Sequence, residues 1–220
     1  MFWVRNVFCA LAVVFPTAGT CSLAFAEPAG EPPTRPFLMG FTRWPADLTL
    51  EGVLTAQNFA HEHGDIVSVM FIGGIPWPEA FDDKPFSRDV ESNLGYRPPK
   101  GKKLFLSICP LNKDRKDMAP YWGAKDNQPL PKPWDRRALN SPEVKKAFLA
   151  FVFRAVEAMK PDFLAIGVES NVLLSHDPKK WSQLKELHRD TYTAVKQKHA
   201  RLPVFFTTEV NHYKKLASEA

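Results

Sequence analysis

One carboxylate, Glu169, stands where a buried strand is expected to end. Residues 163–169 form an apolar run that follows a Pro-Asp pair and precedes Ser170 and Asn171. A short apolar run between turn residues is typical of a buried parallel strand, and ligands bind where such strands end. A carboxylate there must be paired, hydrogen-bonded or protonated. We interpret Glu169 as a candidate catalytic residue; the alternative is a structural ion pair with a Lys or Arg of a neighbouring loop.

Apolar strands alternate with amphipathic helices along the chain. Helix signals include Thr49 as N-cap with Gly64 just past the end, and Ser141-Pro142 at a later helix start. A further helix is predicted from residue 210 onward. Strands are predicted at 37–42, 66–72, 104–109, 163–169 and 203–208, and the main helices at 49–63, 141–160 and 177–199.

This alternation predicts an α/β fold with a parallel sheet and right-handed crossovers. Two architectures fit it: a (β/α)8 TIM-barrel type, of which about the first five β/α units are present, and a five-stranded doubly wound parallel sheet. The barrel is favoured because long segments follow the strands and no strand is followed by a Gly-rich phosphate-binding turn.

The segments that follow the strands are rich in aromatic residues. Indole rings stack on the apolar faces of sugars, while amide and guanidinium groups hydrogen-bond hydroxyls. The alternative is that these rings only pack the long loops onto the sheet. The candidate stacking platforms are Trp77, Trp122 and Trp134, and the other candidate substrate contacts are Arg43, Trp44, Asn112 and Asn171.

The motif Ile166-Gly167-Val168-Glu169, with Trp181, Leu184 and Tyr192 in the helix after it, resembles strand four of clan A glycoside hydrolases. It is similar in particular to β-mannanase-like and endo-galactanase-like members. It departs from most of them at Val168, where an Asn is usual. The resemblance implies a (β/α)8 barrel that hydrolyses β-linked polysaccharide or oligosaccharide with retention. Glu169 would be the general acid/base, and a nucleophile Glu would end strand seven.

The second carboxylate is not identified by this resemblance. Strand seven would lie beyond Ala220, so the chain is expected to be C-terminally incomplete and inactive as it stands. Retaining hydrolysis needs two carboxyl groups about 5–5.5 Å apart. Glu209 ends the predicted fifth strand, and adjacent strands lie about 4.8 Å apart. We interpret Glu209 as a substrate-binding residue, with a catalytic role as the alternative.

No metal or other cofactor is predicted. His61 and His63 are two residues apart on a predicted helix, so they do not share a face. Cys109 is the one cysteine after residue 26 and lies within an apolar strand, where it reads as a small buried residue. A serine esterase is not favoured, because the chain contains no Gly-x-Ser-x-Gly motif.

The N-terminal sequence predicts a secretory signal peptide over residues 1–26. Arg5 precedes the apolar stretch 7–15, and Ala24-Phe25-Ala26 is a cleavage site. Lipidation at Cys21 is less favoured, because the three residues before it suit a lipid signal poorly. Residues 27–36 are a Pro-rich leader, and 37–220 the catalytic domain. We expect a secreted or periplasmic protein without membrane attachment after cleavage.

The formal charge of +5 comes from Lys and Arg scattered among acids. That pattern indicates a solvated surface rather than a nucleic-acid stripe. The sequence therefore predicts a secreted glycosidase whose partner is a polysaccharide or oligosaccharide; it favours no oligomeric state. The alternative is a non-catalytic exported carbohydrate-binding protein on an α/β scaffold.

Overall fold

Five parallel strands form one sheet in which every strand lies beside its neighbours in the chain. The computed structural model describes residues 35–212. The predicted signal peptide and the leader up to residue 34 lie outside the described residues. Of the helix predicted from residue 210 onward, only residues 210–212 are described, and they are helical. The strands are β1 (Gly40–Thr42), β2 (Ile66–Phe71), β3 (Lys103–Ile108), β4 (Phe163–Ala165) and β5 (Val204–Phe205).

Three long helices form where they were predicted. The side chains of Thr49, Ser141 and Asp177 each accept a backbone N–H of the first turn, which satisfies donors that a helix start leaves unpaired. The long helices are α1 (Leu50–His63), α4 (Pro142–Met159) and α6 (Pro178–Lys198). Three short helices were not predicted: α2 (Trp77–Asp82), α3 (Arg88–Leu94) and α5 (Val172–His176).

The prediction of an α/β fold with a parallel sheet is confirmed. A doubly wound sheet reverses its strand order at a switch point, and that crevice is where it binds ligands. The five described strands follow the order β1-β2-β3-β4-β5 without a reversal. The strand order therefore does not support the doubly wound alternative.

The long helices pack on one face of the sheet. Phe59 of α1 meets Phe41 edge-on with ring centroids 5.0 Å apart, and Phe151 of α4 lies 6.3 Å from Phe71. The register places Phe41 beside Val67, on the same face as Phe71, so both contacts are on one side. Side chains on that face of β2 are buried, and those on the opposite face are only partly buried. The core therefore lies between the sheet and one layer of helices.

The fourth strand is shorter than predicted. Regular pairing of β4 ends at Ala165, whereas the apolar run continues to Val168. Backbone bonds to the segment after β5 continue, because Ile166 donates to the Phe205 carbonyl and Thr207 donates to the Gly167 carbonyl. The chain therefore stays attached to the sheet edge while it turns. No helix in the part of the chain that the structure describes is long and apolar enough to cross a membrane.

Candidate functional site

Glu169 lies at the carboxyl edge of the sheet in an uncommon backbone conformation. Its φ is 49°, in the left-handed region that residues other than glycine rarely adopt. Its N–H donates to the Thr207 hydroxyl at 3.0 Å, and the N–H of Ser170 donates to the Thr207 carbonyl. Such a conformation costs about 1–3 kcal/mol and persists only where the surroundings enforce it. The segment that follows β5 therefore holds Glu169 in place.

Arg115 ties the loop after β3 to the turn that carries Glu169. Its Nη2 lies 3.2 Å from Glu169 Oε2, and its Nε donates to the Val168 carbonyl at 2.9 Å. Its Nη1 donates to the carbonyls of Asn112 and Lys113. The Arg115 side chain is 7% exposed, whereas that of Glu169 is 47% exposed. The ion pair proposed as the alternative is thus present, and the carboxylate still faces solvent.

Arg115 was missed by sequence reasoning. It is one of seven basic residues in the 112–137 segment and belongs to no motif. Only the expectation of a basic partner from a neighbouring loop pointed toward it. Asn112, predicted as a substrate contact, shapes this loop: its Oδ1 accepts the N–H groups of Lys116 and Asp117. An Asn that bonds backbone ahead of it stabilises a turn. Asn112 therefore supports the loop that presents Arg115.

Replacing Arg115 with Met is expected to destabilise the protein by about 1–3 kcal/mol. The carbonyls of Val168, Asn112 and Lys113 would lose their donor, while the apolar stem of the side chain is kept. Urea unfolding measures the change, with Arg201→Met as the matched variant at an exposed arginine. Equal effects of the two substitutions would contradict the role assigned to Arg115.

Asn171 and Glu209 lie at the same sheet edge, and they contact each other through the backbone. Asn171 Nδ2 donates to the Glu209 carbonyl at 2.9 Å, and the Glu209 N–H donates to Asn171 Oδ1 at 2.7 Å. The Glu209 carboxylate accepts the N–H groups of Asn211 and His212, which hold the pKa of Glu209 below its ordinary value. Both side chains are therefore engaged with the backbone at this edge of the sheet.

Three of the four candidate tryptophans are core residues. Trp77 is fully buried, donates its Nε1–H to the Ala119 carbonyl, and stacks on Trp134 with ring centroids 5.9 Å apart. Trp122 is buried and donates its Nε1–H to Asp89. A ring buried on both faces cannot stack on a sugar, so Trp77, Trp122 and Trp134 are not stacking platforms in this structure. These three rings instead pack the loops onto the sheet, which is the alternative given for them above.

Trp44 remains available to a ligand, because its side chain is 62% exposed just after β1. The neighbouring Arg43 guanidinium lies 3.8 Å above the centre of the Tyr96 ring, and burial lowers the pKa of Arg43. A cavity of about 220 Å³ opens beside both residues at this end of the sheet. Its polar lining includes Ser68, Gln57 and Asn93.

His188 of α6 supports the turn from the helix side. It is buried, and its ring stacks on Phe206 with centroids 5.4 Å apart. Burial lowers the pKa of His188 to about 4, although the backbone of Ile166, as a hydrogen-bond acceptor, partly opposes this. The imidazole is therefore neutral at physiological pH.

This buried histidine is expected to make stability fall as the pH decreases from about 6.5 to about 4. Above that window His188 is neutral in both states; within it only the unfolded chain binds the proton, so the free energy of unfolding decreases, by about 3 kcal/mol in total. Chemical denaturation at pH 7 and pH 4.5 measures the change. The decrease should be smaller in His188→Phe than in the exposed-site control His63→Phe. An identical decrease in both variants would show that His188 does not cause it.

The described residues contain no group of three or more His, Cys, Asp or Glu side chains arranged to hold a metal ion. Cys109 is buried, and burial raises the pKa of its thiol. A protonated, enclosed thiol is a poor nucleophile. The chemistry of this edge is thus that of a carboxylate, a guanidinium and neighbouring hydroxyl and amide groups.

The sequence matches no family model and no curated protein. Among solved structures it is similar to the Ignisphaera aggregans GH53 catalytic domain, with a TM-score of 0.41 and 14% sequence identity. The match covers 82% of this chain and 50% of that one, so this chain spans about half the length of that domain. A likeness at this level does not establish an activity.

Proposed function

We propose that this protein is a glycoside hydrolase that cleaves β-linked polysaccharide or oligosaccharide with Glu169 as general acid/base. One observation carries the proposal: a solvent-facing carboxylate is held in a strained backbone conformation at the carboxyl edge of a parallel sheet. Strain of this kind clusters at active sites, and in barrel enzymes this edge is where catalytic residues lie.

The fold proposed for this activity is the (β/α)8 barrel. Two features support it: the strands follow chain order, and the long helices cover one face of the sheet. A barrel is built in this way, with one helix layer outside a ring of strands. The half-exposed face that carries Ser68 and Met70 would then line the barrel interior.

Glu169 would give a proton to the glycosidic oxygen as the bond breaks and take one from water in the second step. Arg115 holds Oε2, so Oε1 is the oxygen that would meet the sugar. Glu209 is poorly placed as nucleophile, because its carboxylate is bound to the backbone of residues 211 and 212. We therefore place the nucleophile outside the described residues, and we place a sugar ring against the exposed face of Trp44.

Incubation of the full-length protein with β-mannan and β-galactan tests this function, and the release of reducing ends reports cleavage. The expected result is hydrolysis with retention of anomeric configuration, which proton NMR of the first product reports. The alternative is a non-catalytic carbohydrate-binding protein, which the exposed Trp44 beside a polar cavity also fits. Saturable binding of these polysaccharides without any release of reducing ends would favour the binding protein and contradict the enzyme.

We also propose that the protein is exported by a signal peptide at residues 1–26. N-terminal sequencing of protein recovered from an exported fraction should then begin at Glu27. Retention of Met1 in that fraction would contradict the cleavage site. A lipid-modified Cys21 at the new N-terminus would instead indicate the less favoured lipoprotein route.

A further inference from the structure

We propose that Ser170 and His188 form a buried hydrogen-bonded pair that positions Glu169. In this pair the Ser170 hydroxyl donates to His188 Nε2, and His188 Nδ1–H donates to the Ile166 carbonyl. The two bonds would fix both ends of the turn formed by residues 166–170. The positioning role rests on the proposed function of Glu169, whereas the bond itself does not.

The inference rests on two buried polar atoms, of which one can donate a hydrogen bond and the other can accept it. Ser170 is fully buried and His188 is 6% exposed. Within residues 35–212, neither Ser170 Oγ nor His188 Nε2 has a hydrogen-bond partner. An unpaired buried polar atom is costly, and almost all such atoms in native proteins are paired. A hydroxyl can donate, and Nε2 is an acceptor when the proton is on Nδ1.

The tautomer follows from the bond to Ile166. That bond to the backbone of Ile166 opposes the lowering of the imidazole pKa, so His188 donates in it. The proposed pair requires the donating nitrogen to be Nδ1, which leaves the lone pair of the unpartnered Nε2 free to accept.

Gly167 shows how closely the two groups approach the turn. A Cβ placed on Gly167 would lie 2.5 Å from Ser170 Oγ and 2.7 Å from His188 Nε2. Ser170 Oγ and His188 Nε2 are therefore at most about 5 Å apart, and both lie close to the backbone that leads to Glu169. The proposed bond would form by rotation of Ser170 about χ1, since a serine side chain has three staggered positions.

With this pair, the turn formed by residues 166–170 is held by contacts from the neighbouring loops and from the helix layer. Arg115 and Thr207 hold Val168 and Glu169 from the neighbouring loops, and His188 lies against Gly167 from the helix layer. Ser170 would link this helix contact to the far end of the turn. Loss of the bond would move the carboxylate without removing a substrate contact, and small displacements of catalytic groups reduce turnover by up to about 100-fold.

Long-range ¹H–¹⁵N NMR of the histidine ring tests the bond directly. In the wild type we expect the Nδ1–H tautomer for His188. In Ser170→Ala the Nε2 resonance should move while the Nδ1–H tautomer persists, and the exposed-site control Ser92→Ala should leave both nitrogens unchanged. An Nε2–H tautomer in the wild type, or an Nε2 resonance that does not respond to Ser170→Ala, would refute the pair.

Kinetics on the polysaccharide that the enzyme cleaves tests the positioning role. Ser170→Ala is expected to lower kcat about tenfold with KM unchanged, whereas Ser92→Ala should alter neither. Unchanged kcat in a variant whose NMR shows the bond lost would overturn the positioning role. If the wild type cleaves no glycoside, that role fails together with the proposed function; cleavage with no bond refutes the pair alone.

Discussion

Replacing Glu169 with Gln is expected to lower kcat/KM on a β-linked polysaccharide by roughly 10²–10⁴-fold. Positioned proton transfer contributes a factor of this size, and an amide of the same shape cannot supply the proton. The Gln side chain can still lie beside Arg115, so the turn should keep its structure and the polysaccharide its affinity. Reducing-end assays and binding measurements on the same preparations give both quantities.

Substrates with different leaving groups distinguish an acid/base role of Glu169 from other causes of the decrease in kcat/KM. An aryl glycoside with a good leaving group needs little protonation, so its cleavage step in Glu169→Gln should be reduced far less than cleavage of the polysaccharide. Glu62→Gln, at a side chain that is 75% exposed, is the matched control and should behave as the wild type. Full activity of Glu169→Gln on polysaccharide would exclude Glu169 as the acid/base.

Replacing Trp77 with Ala is expected to destabilise the protein by about 3–5 kcal/mol, a typical cost for removing a large buried aromatic side chain. Trp77 stacks on Trp134, lies near Phe148 and donates to the Ala119 carbonyl, so the substitution leaves both a cavity and an unpaired carbonyl. For a domain of this size the melting temperature should fall by roughly 6–20 °C. Calorimetry or thermal unfolding followed by circular dichroism measures it.

Trp44→Ala is the matched comparison, because the residue type is the same and the exposure is opposite. We expect a change within about 0.5 kcal/mol in stability, as for other surface substitutions, together with weaker polysaccharide binding. A large loss of stability in Trp44→Ala would mean that the exposed ring is a packing residue. Little loss in Trp77→Ala would mean that the core around it is not packed as the structure shows.

The long helices could be predicted because their signals are local. Thr49, Ser141 and Asp177 cap helix starts within three residues of the donors they bind, and α4 carries a regular apolar stripe. The alternation of these helices with apolar strands was sufficient to predict a parallel sheet. The short helices α2, α3 and α5 were missed, because five to seven residues are too few to show a helical period.

Distant contacts explain what could not be predicted around Glu169. Its position at the end of an apolar run was readable, but its left-handed backbone depends on Thr207, 38 residues away, and on Arg115, 54 residues away. No local pattern encodes such a pairing. The contacts that offset the backbone strain of Glu169 and the burial of Arg115 form only when the loops come together.

The tryptophans show the same division between local pattern and long-range packing. Composition identified an unusual number of aromatic rings after the strands, and composition is a property of the chain alone. Whether a given ring is exposed depends on which surface folds over it: Trp77 lies beneath α4 and the loop at residue 119, while Trp44 lies beneath neither. Residue types and local periodicity thus predict the elements and the candidate carboxylate. Burial and partners require the assembled fold, because they arise between segments that are far apart in the chain.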